Sequence, residues 1–139
     1  MYNLNEIGSD IIGAAFEVRK EVGKYLLEGY YQRALAYELD RLGHKVECEK
    51  MVVADYKGKI IKEAYRIDLL VDNQIVIECK SLSRLSGNEF KQLNTYLELG
   101  NFSLGYIINF SAKDFRPGTL NSVDYLNLGI IRVVRNFKE

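Results

Sequence analysis

The sequence predicts an α/β fold in which a central mixed sheet is flanked by helices. Three observations carry that prediction. Two N-terminal segments repeat apolar residues at helical spacing, residues 65–80 alternate apolar and polar side chains with the period of strands, and a third helical stripe leads into a nearly continuous apolar run at 102–110.

From Asn5, the residues Ile7, Ile11, Ala15, Val18 and Val22 line one side of a helix that Gly23 stops. After the connection Gly23-Lys24-Tyr25, the residues Tyr31, Leu35, Leu39 and Leu42 repeat the pattern up to Gly43. At about 100° per residue, Glu28 falls on the axis of this second stripe and Glu38 on its shoulder. A carboxylate on a buried line is unusual. Its position fits equally a first-turn acid facing the positive end of the helix dipole and a functional group. Glu38 reads as a solvated rim residue. His44, the only histidine, follows the helix-ending Gly43 and reads as a capping or surface residue.

Val46, Cys48, Val52, Ala54 and Tyr56 then alternate with Lys45, Glu47 and Glu49, and Lys57-Gly58 turns the chain into Ile60 and Ile61. Next, Tyr65, Ile67, Leu69 and Val71 form an apolar face opposite Arg66 and Asp68, and Ile75, Ile77 and Cys79 form another opposite Glu78 and Lys80. A three-residue turn Asp72-Asn73-Gln74, with an Asn suited to positive φ, pairs Val71 with Ile75 and aligns the two apolar faces. An even-membered loop would pair apolar with polar residues. The odd register sets Asp68 opposite Glu78, and Arg66 opposite Lys80.

Carboxylates directly across a ladder have Cβ atoms about 4.5–5.5 Å apart and repel unless something positive lies between them. A divalent metal does that, and Lys80, on the same face as Glu78, is placed to hold an anionic substrate. The plain alternative is a pair of charges on the solvated face of a hairpin. Leu70 and Val76 weigh against it: they put apolar residues on that face, so it is half covered, and covered carboxylates need a partner.

Ser86 and Glu89 form a capping box for a helix whose stripe Phe90, Leu93 and Leu97 closes at Gly100. Gln92 and Tyr96 sit one turn apart on an adjacent face, by themselves a polar flank with an amphipathic tyrosine. The run Phe102 to Phe110 reads as a central strand covered on both sides, and a helix followed by a strand implies a crossover that sets it parallel to the Glu78 strand. Ser111 to Leu128 reads as a loop holding the only proline, at Arg116-Pro117-Gly118. Gly129 to Arg135 reads as a last strand.

A chain of 139 residues is expected to form one domain over 1–139, large enough for a core of its own. The 19 basic and 19 acidic residues balance, which excludes a nonspecific nucleic-acid coat or membrane-surface binder but not an enzyme that meets phosphates in one cleft. Cys48 and Cys79 lack CxxC spacing and fall on apolar strand faces, as buried free thiols of a reducing compartment do. The N-terminus lacks a basic region followed by an apolar run, and no stretch approaches membrane-spanning length. The expectation is a soluble cytoplasmic protein with no membrane partner.

The element order helix, helix, three strands, helix, strand, together with Asp68, Glu78-x-Lys80 and Gln92-x-x-x-Tyr96, resembles the PD-(D/E)XK nuclease superfamily. Leu26-Leu27-Glu28-Gly29-Tyr30-Tyr31 followed by Ala34-Leu35-Ala36-Tyr37-Glu38-Leu39 is similar to its small GxxExxY family. The likeness runs from the first helix through Phe110. Tyr25 stands where the GxxExxY pattern has glycine, and Ile67 rather than proline precedes the strand aspartate.

The resemblance implies a restriction-endonuclease-like core with a catalytic set of Asp68, Glu78, Lys80, Gln92 and Tyr96. It implies that Asp68 and Glu78 bind one or two Mg²⁺ (or Mn²⁺) ions, with Glu28 as a further ligand and the carbonyl of Cys79 completing the set. Oxygen ligands without histidine or thiolate suit those ions rather than zinc. Gln92 and Tyr96 would contact phosphate or orient the ligands, with Arg66 and Arg84 as further phosphate contacts. The implied activity is metal-dependent phosphodiester hydrolysis on nucleic acid, DNA first and RNA not excluded. Two alternatives stay open: a non-catalytic nucleic-acid or protein interaction module that keeps the fold, and a phosphodiesterase of small nucleotides. Many relatives of this fold work as dimers, so homodimerisation stays open too, with no interface legible in the sequence.

Overall fold

The structure, a computed structural model, describes residues 3–135 apart from the side chains of residues 62–64. Its elements are helices α1 (Leu4–Val22) and α2 (Glu28–Arg41), strands β1 (Val46–Tyr56), β2 (Lys59–Val71) and β3 (Ile75–Lys80), helix α3 (Asn88–Gly100), then β4 (Leu104–Asn109), β5 (Asp114–Thr119), a short 3-10 turn at Tyr125–Asn127, and β6 (Leu128–Val134). Among the described residues one six-stranded sheet runs in the order β1-β2-β3-β4-β6-β5. The β3–β4 and β5–β6 pairs are parallel and the other pairs antiparallel, so the predicted mixed sheet and the parallel crossover through α3 are both present.

Local signals start and stop the helices. The Asn3 side chain accepts the Glu6 N–H at 2.9 Å to open α1, and Gly23 closes it at φ 74°. The Glu89 carboxylate accepts from the backbone of Ser86 at 2.8 Å and of Gly87 at 3.2 Å ahead of α3. One sheet face is covered by α1 and α2, where Ile7, Ile11, Leu35 and Leu39 meet Leu69, Val71, Ile75, Ile77 and Cys79. The other is covered by α3, where Leu93, Tyr96 and Leu97 meet Leu70, Val76, Ile107 and Ile131. Each fully buried Leu or Ile removed from water contributes about 1.5–3 kcal/mol, so both layers clamp the strands that carry the polar cluster.

Several expectations are corrected. Residues 114–119 form β5 rather than loop: Pro117 pairs with Ile130 of β6 at the outer edge of the sheet, the one place where a strand tolerates a missing N–H. Ile67 and Tyr65 do not share the face of Leu69 and Val71; they pack in the α3 cluster. Glu49, at φ 54°, lies between the pairs Cys48↔Leu69 and Lys50↔Ile67, which keep one register, and the register of β1 on β2 shifts only at Val53/Ala54. Cys48 is exposed, against expectation, whereas Cys79 is buried as expected.

The His44 backbone does cap α2, its N–H donating to the Leu39 carbonyl at 3.2 Å, but its side chain is not a surface group. It is 2% exposed and joins Asp72 (Nδ1 to Oδ2, 2.6 Å) to Asp10 (Nε2 to Oδ2, 2.7 Å), tying α1 to the β2–β3 turn. Burial pushes its pKa down, but the two aspartate bonds outweigh that and the net shift is upward.

Candidate active site

The β2–β3 hairpin has the predicted register. Asp72 and Asn73 adopt φ 52° and 57° in the turn, and Val71 pairs with Ile75, Leu70 with Val76 and Leu69 with Ile77. One step further the two strands part. There the Asp68 carboxylate accepts the Cys79 N–H at 2.8 Å, and a Glu78 oxygen accepts the Asp68 N–H at 3.3 Å. Each acid thus takes the place of a ladder hydrogen bond on the opposing strand, which draws both carboxyls into the fork.

Burial sets the electrostatics of the fork. Glu78 is 1% exposed; burial first, and then the charge of Asp68, push its pKa up to about 9. Asp68 is also raised by burial, against the pull of the Cys79 N–H and of Lys80. The two carboxyls are hydrogen-bonded to each other, so at neutral pH they hold a proton between them.

Lys80, at the end of β3, donates to Gln92 Oε1 at 2.6 Å, and Gln92 Nε2 donates to the Tyr96 hydroxyl at 3.1 Å. The helical i, i+4 spacing on α3 aims both side chains at the fork. Burial and the Glu78 charge raise the pKa of Tyr96, which places it beside the acids. Asp68, Glu78, Lys80, Gln92 and Tyr96 therefore lie together as one array.

Glu28, the first residue of α2, stands at the rim. Burial raises its pKa, Lys80 lowers it and Asp68 raises it, so it faces the same cluster. It does not close on the two strand acids. Among the described residues no three acidic, imidazole or thiol groups come together closely enough to hold a metal ion. The Cys79 thiol lies in the core with α1 and α2, leaving only its backbone to the site. Arg66 does not meet Lys80: it pairs across β1 with Met51, and its guanidinium reaches Glu49 at 3.7 Å. Arg84 donates to Asn127 at 3.2 Å. Neither arginine is part of the array.

Four residues support the site through contacts that the sequence reading did not show. Asn109, fully buried, accepts the Leu82 N–H at 2.8 Å and donates to the Leu82 carbonyl at 2.9 Å, fixing the chain just after Lys80. An asparagine inside an apolar run was the available signal. Ser81 donates to the Leu26 carbonyl and Ser111 to the Lys24 carbonyl, both at 2.7 Å, binding the α1–α2 connection to the ends of β3 and β4. Tyr31 stacks on Phe110 with centroids 4.5 Å apart, donates to the Gly23 carbonyl at 2.6 Å and accepts from Leu26 N–H at 3.2 Å.

The donor set tests well against a hard divalent cation. Two buried carboxyls whose burial and mutual repulsion disfavour their charged forms, with no imidazole or thiol beside them, suit an oxygen-seeking ion that would relieve both. No helix among the described residues is long and apolar enough to cross a membrane. No curated protein and no solved structure matches the chain. A family model described as the PD-(D/E)XK nuclease superfamily matches residues 5–120, from α1 through β5, a span that holds the whole array. The chain belongs to the PD-(D/E)XK nuclease superfamily.

Proposed function

We propose that this chain is a metal-dependent nuclease that hydrolyses phosphodiester bonds in nucleic acid, DNA first, with Asp68 and Glu78 as metal ligands and Mg²⁺ or Mn²⁺ as the ion. The observation that carries the reading is the buried, proton-sharing Asp68–Glu78 pair beside the Lys80 amine. A divalent cation, when bound, supplies Lewis acidity toward phosphoryl oxygen and water. The chain's own residues do the rest. Asp68 and Glu78 are held rigid by backbone N–H groups, so they need no reorganisation to receive positive charge. Lys80, oriented by Gln92 and through it by Tyr96, offsets the charge that builds on phosphate oxygens in the transition state.

Glu28 and the Cys79 carbonyl are the further ligands in this reading, with Glu28 moving inward from the rim when substrate and ion arrive. The segment Glu28–Tyr31 supports membership of the GxxExxY family: Tyr31 anchors the loop that presents Glu28. The backbone at Tyr25 lies outside the left-handed region, so the loop makes no demand for glycine there. We further propose that residues 1–139 act as one domain in a reducing, cytoplasmic setting. A second reading, a non-catalytic binding module, is favoured by one observation, the failure of Glu28 to close on the pair.

A cleavage assay with Mn²⁺ on single-stranded, duplex and branched DNA and on RNA, run beside Lys80→Ala, decides between them. Loss of an electrostatic donor at a reacting phosphate costs about 100-fold or more in rate. Equal cleavage by Lys80→Ala and wild type would remove Lys80 from the reaction, and no cleavage by wild type on any substrate supports the binding module.

A further inference from the structure

Beside the acid fork lies a half-open groove of about 440 Å³ between the α1–α2 connection and the loops that follow β3 and β4. Its position is set by covalent proximity. One wall includes Ser81, next in sequence to Lys80, and the other runs through Lys24, Tyr25 and Leu27 into Glu28. The connection is not a loose strap: Ser81 and Ser111, with hydroxyl oxygens 2.8 Å apart, hold its carbonyls at Leu26 and Lys24.

On this fixed loop the Tyr25 ring is 88% exposed and Leu27 is 84% exposed, a large apolar surface with no partner in the fold. The Lys24 amine stands 5.5 Å from the centroid of the Tyr25 ring, and Lys113 lines the groove from the β4 side. In a chain with net charge zero, Lys24 and Lys113 thus both line one opening, and Lys80 directly precedes its Ser81 wall in sequence. An exposed aromatic face on a hydrogen-bonded loop, flanked by cations and opening on a groove of this volume, is the chemistry of a stacking platform for an unpaired base with its phosphate between lysines. A blunt duplex offers no free base face to such a ring, and the balanced charge supplies no broad cationic surface for duplex backbone.

We infer that the Tyr25 groove binds an unpaired nucleotide next to the phosphate held at the acid fork, so that the substrate is single-stranded nucleic acid or a single-stranded end. The inference rests on the nuclease reading for what happens at the fork, but the groove is tested by binding alone. Anisotropy titrations in EDTA with labelled oligo-dT, oligo-U and a blunt hairpin duplex would compare wild type with Tyr25→Ala, Tyr25→Phe and Lys113→Ala. The exposure of Tyr25 leaves the fold indifferent to its replacement, which circular dichroism checks.

Single strands are expected to bind wild type and Tyr25→Phe alike, to bind Tyr25→Ala about tenfold or more weakly, and to show a shallower salt dependence with Lys113→Ala. Duplex binding is expected to be insensitive to Tyr25. The groove assignment is overturned if wild type binds no single strand, if Tyr25→Ala binds it as tightly as wild type, or if the loss is equal on duplex. Cleavage measured on the same proteins with Mn²⁺ separates the two ideas. Tyr25-dependent binding without cleavage sinks the nuclease and keeps the groove; cleavage with Tyr25-independent binding does the reverse.

Discussion

Replacing Glu78 by glutamine should stabilise the metal-free protein at neutral and alkaline pH. In the folded chain Glu78 holds its proton up to about pH 9, because burial and then the Asp68 charge disfavour the anion; its ordinary value is 4.5. Between those two values the unfolded chain has released a proton that the folded chain retains, so stability falls as pH rises. At about 1.4 kcal/mol per pH unit, the interval from 4.5 to 7 costs the fold about 3 kcal/mol. Glutamine has no proton to lose. Its oxygen can still accept the Asp68 N–H and its amide can still donate to the Asp68 carboxylate.

Urea denaturation in EDTA at a series of pH values between 4.5 and 9, with the m-value monitored for constancy, measures the effect. Glu78→Gln should gain about 3 kcal/mol on wild type between pH 4.5 and pH 7, and gain more by pH 9. Added Mn²⁺ should raise the melting temperature of wild type at pH 8 and leave that of the variant nearly unchanged. A wild type/variant difference that stays constant with pH would refute the buried, proton-sharing picture of the fork.

Two further outcomes follow from the described contacts. His44→Ala should cost about 2–4 kcal/mol near pH 6 by removing hydrogen bonds to two carboxylates. Because the folded His44 pKa is raised, that contribution is complete below its ordinary value of 6.5 and lost as pH rises through the folded value, so denaturation midpoints of variant and wild type should converge toward alkaline pH. Tyr31→Phe keeps the stack on Phe110 but removes both hydroxyl bonds to the α1–α2 connection; it should cost about 1–3 kcal/mol and speed hydrogen exchange at the Leu26 amide, and an unchanged exchange rate would show that the hydroxyl does not hold that loop.

The parts of the fold legible from sequence were those fixed by local periodicity. The stripes of α1, α2 and α3 stand where their apolar residues recur, and the odd-membered turn at 72–74 sets the register that brings Asp68 to Glu78. What escaped depended on partners distant in the chain. His44 finds Asp72 28 residues away and Asp10 34 residues away, a pairing no local pattern shows. Pro117 concealed β5 because its tolerance depends on lying at an edge, and the edge exists only once the strand order is known. Cys48 lies on β1, an edge strand of the sheet, a position that alternation along the strand does not reveal. Glu28 faces the strand acids without closing on them, because how far a helix terminus reaches into a site depends on the packing of α2 against the sheet rather than on position along the stripe.

The strand order β4-β6-β5 carries a consequence for biosynthesis. Residues 114–119 leave the ribosome before residues 128–134, yet among the described residues the later strand is their one pairing partner. Until β6 slides between them, the flank of β4 stays open, and a nascent chain stalled near residue 120 would display that raw border to other polypeptides.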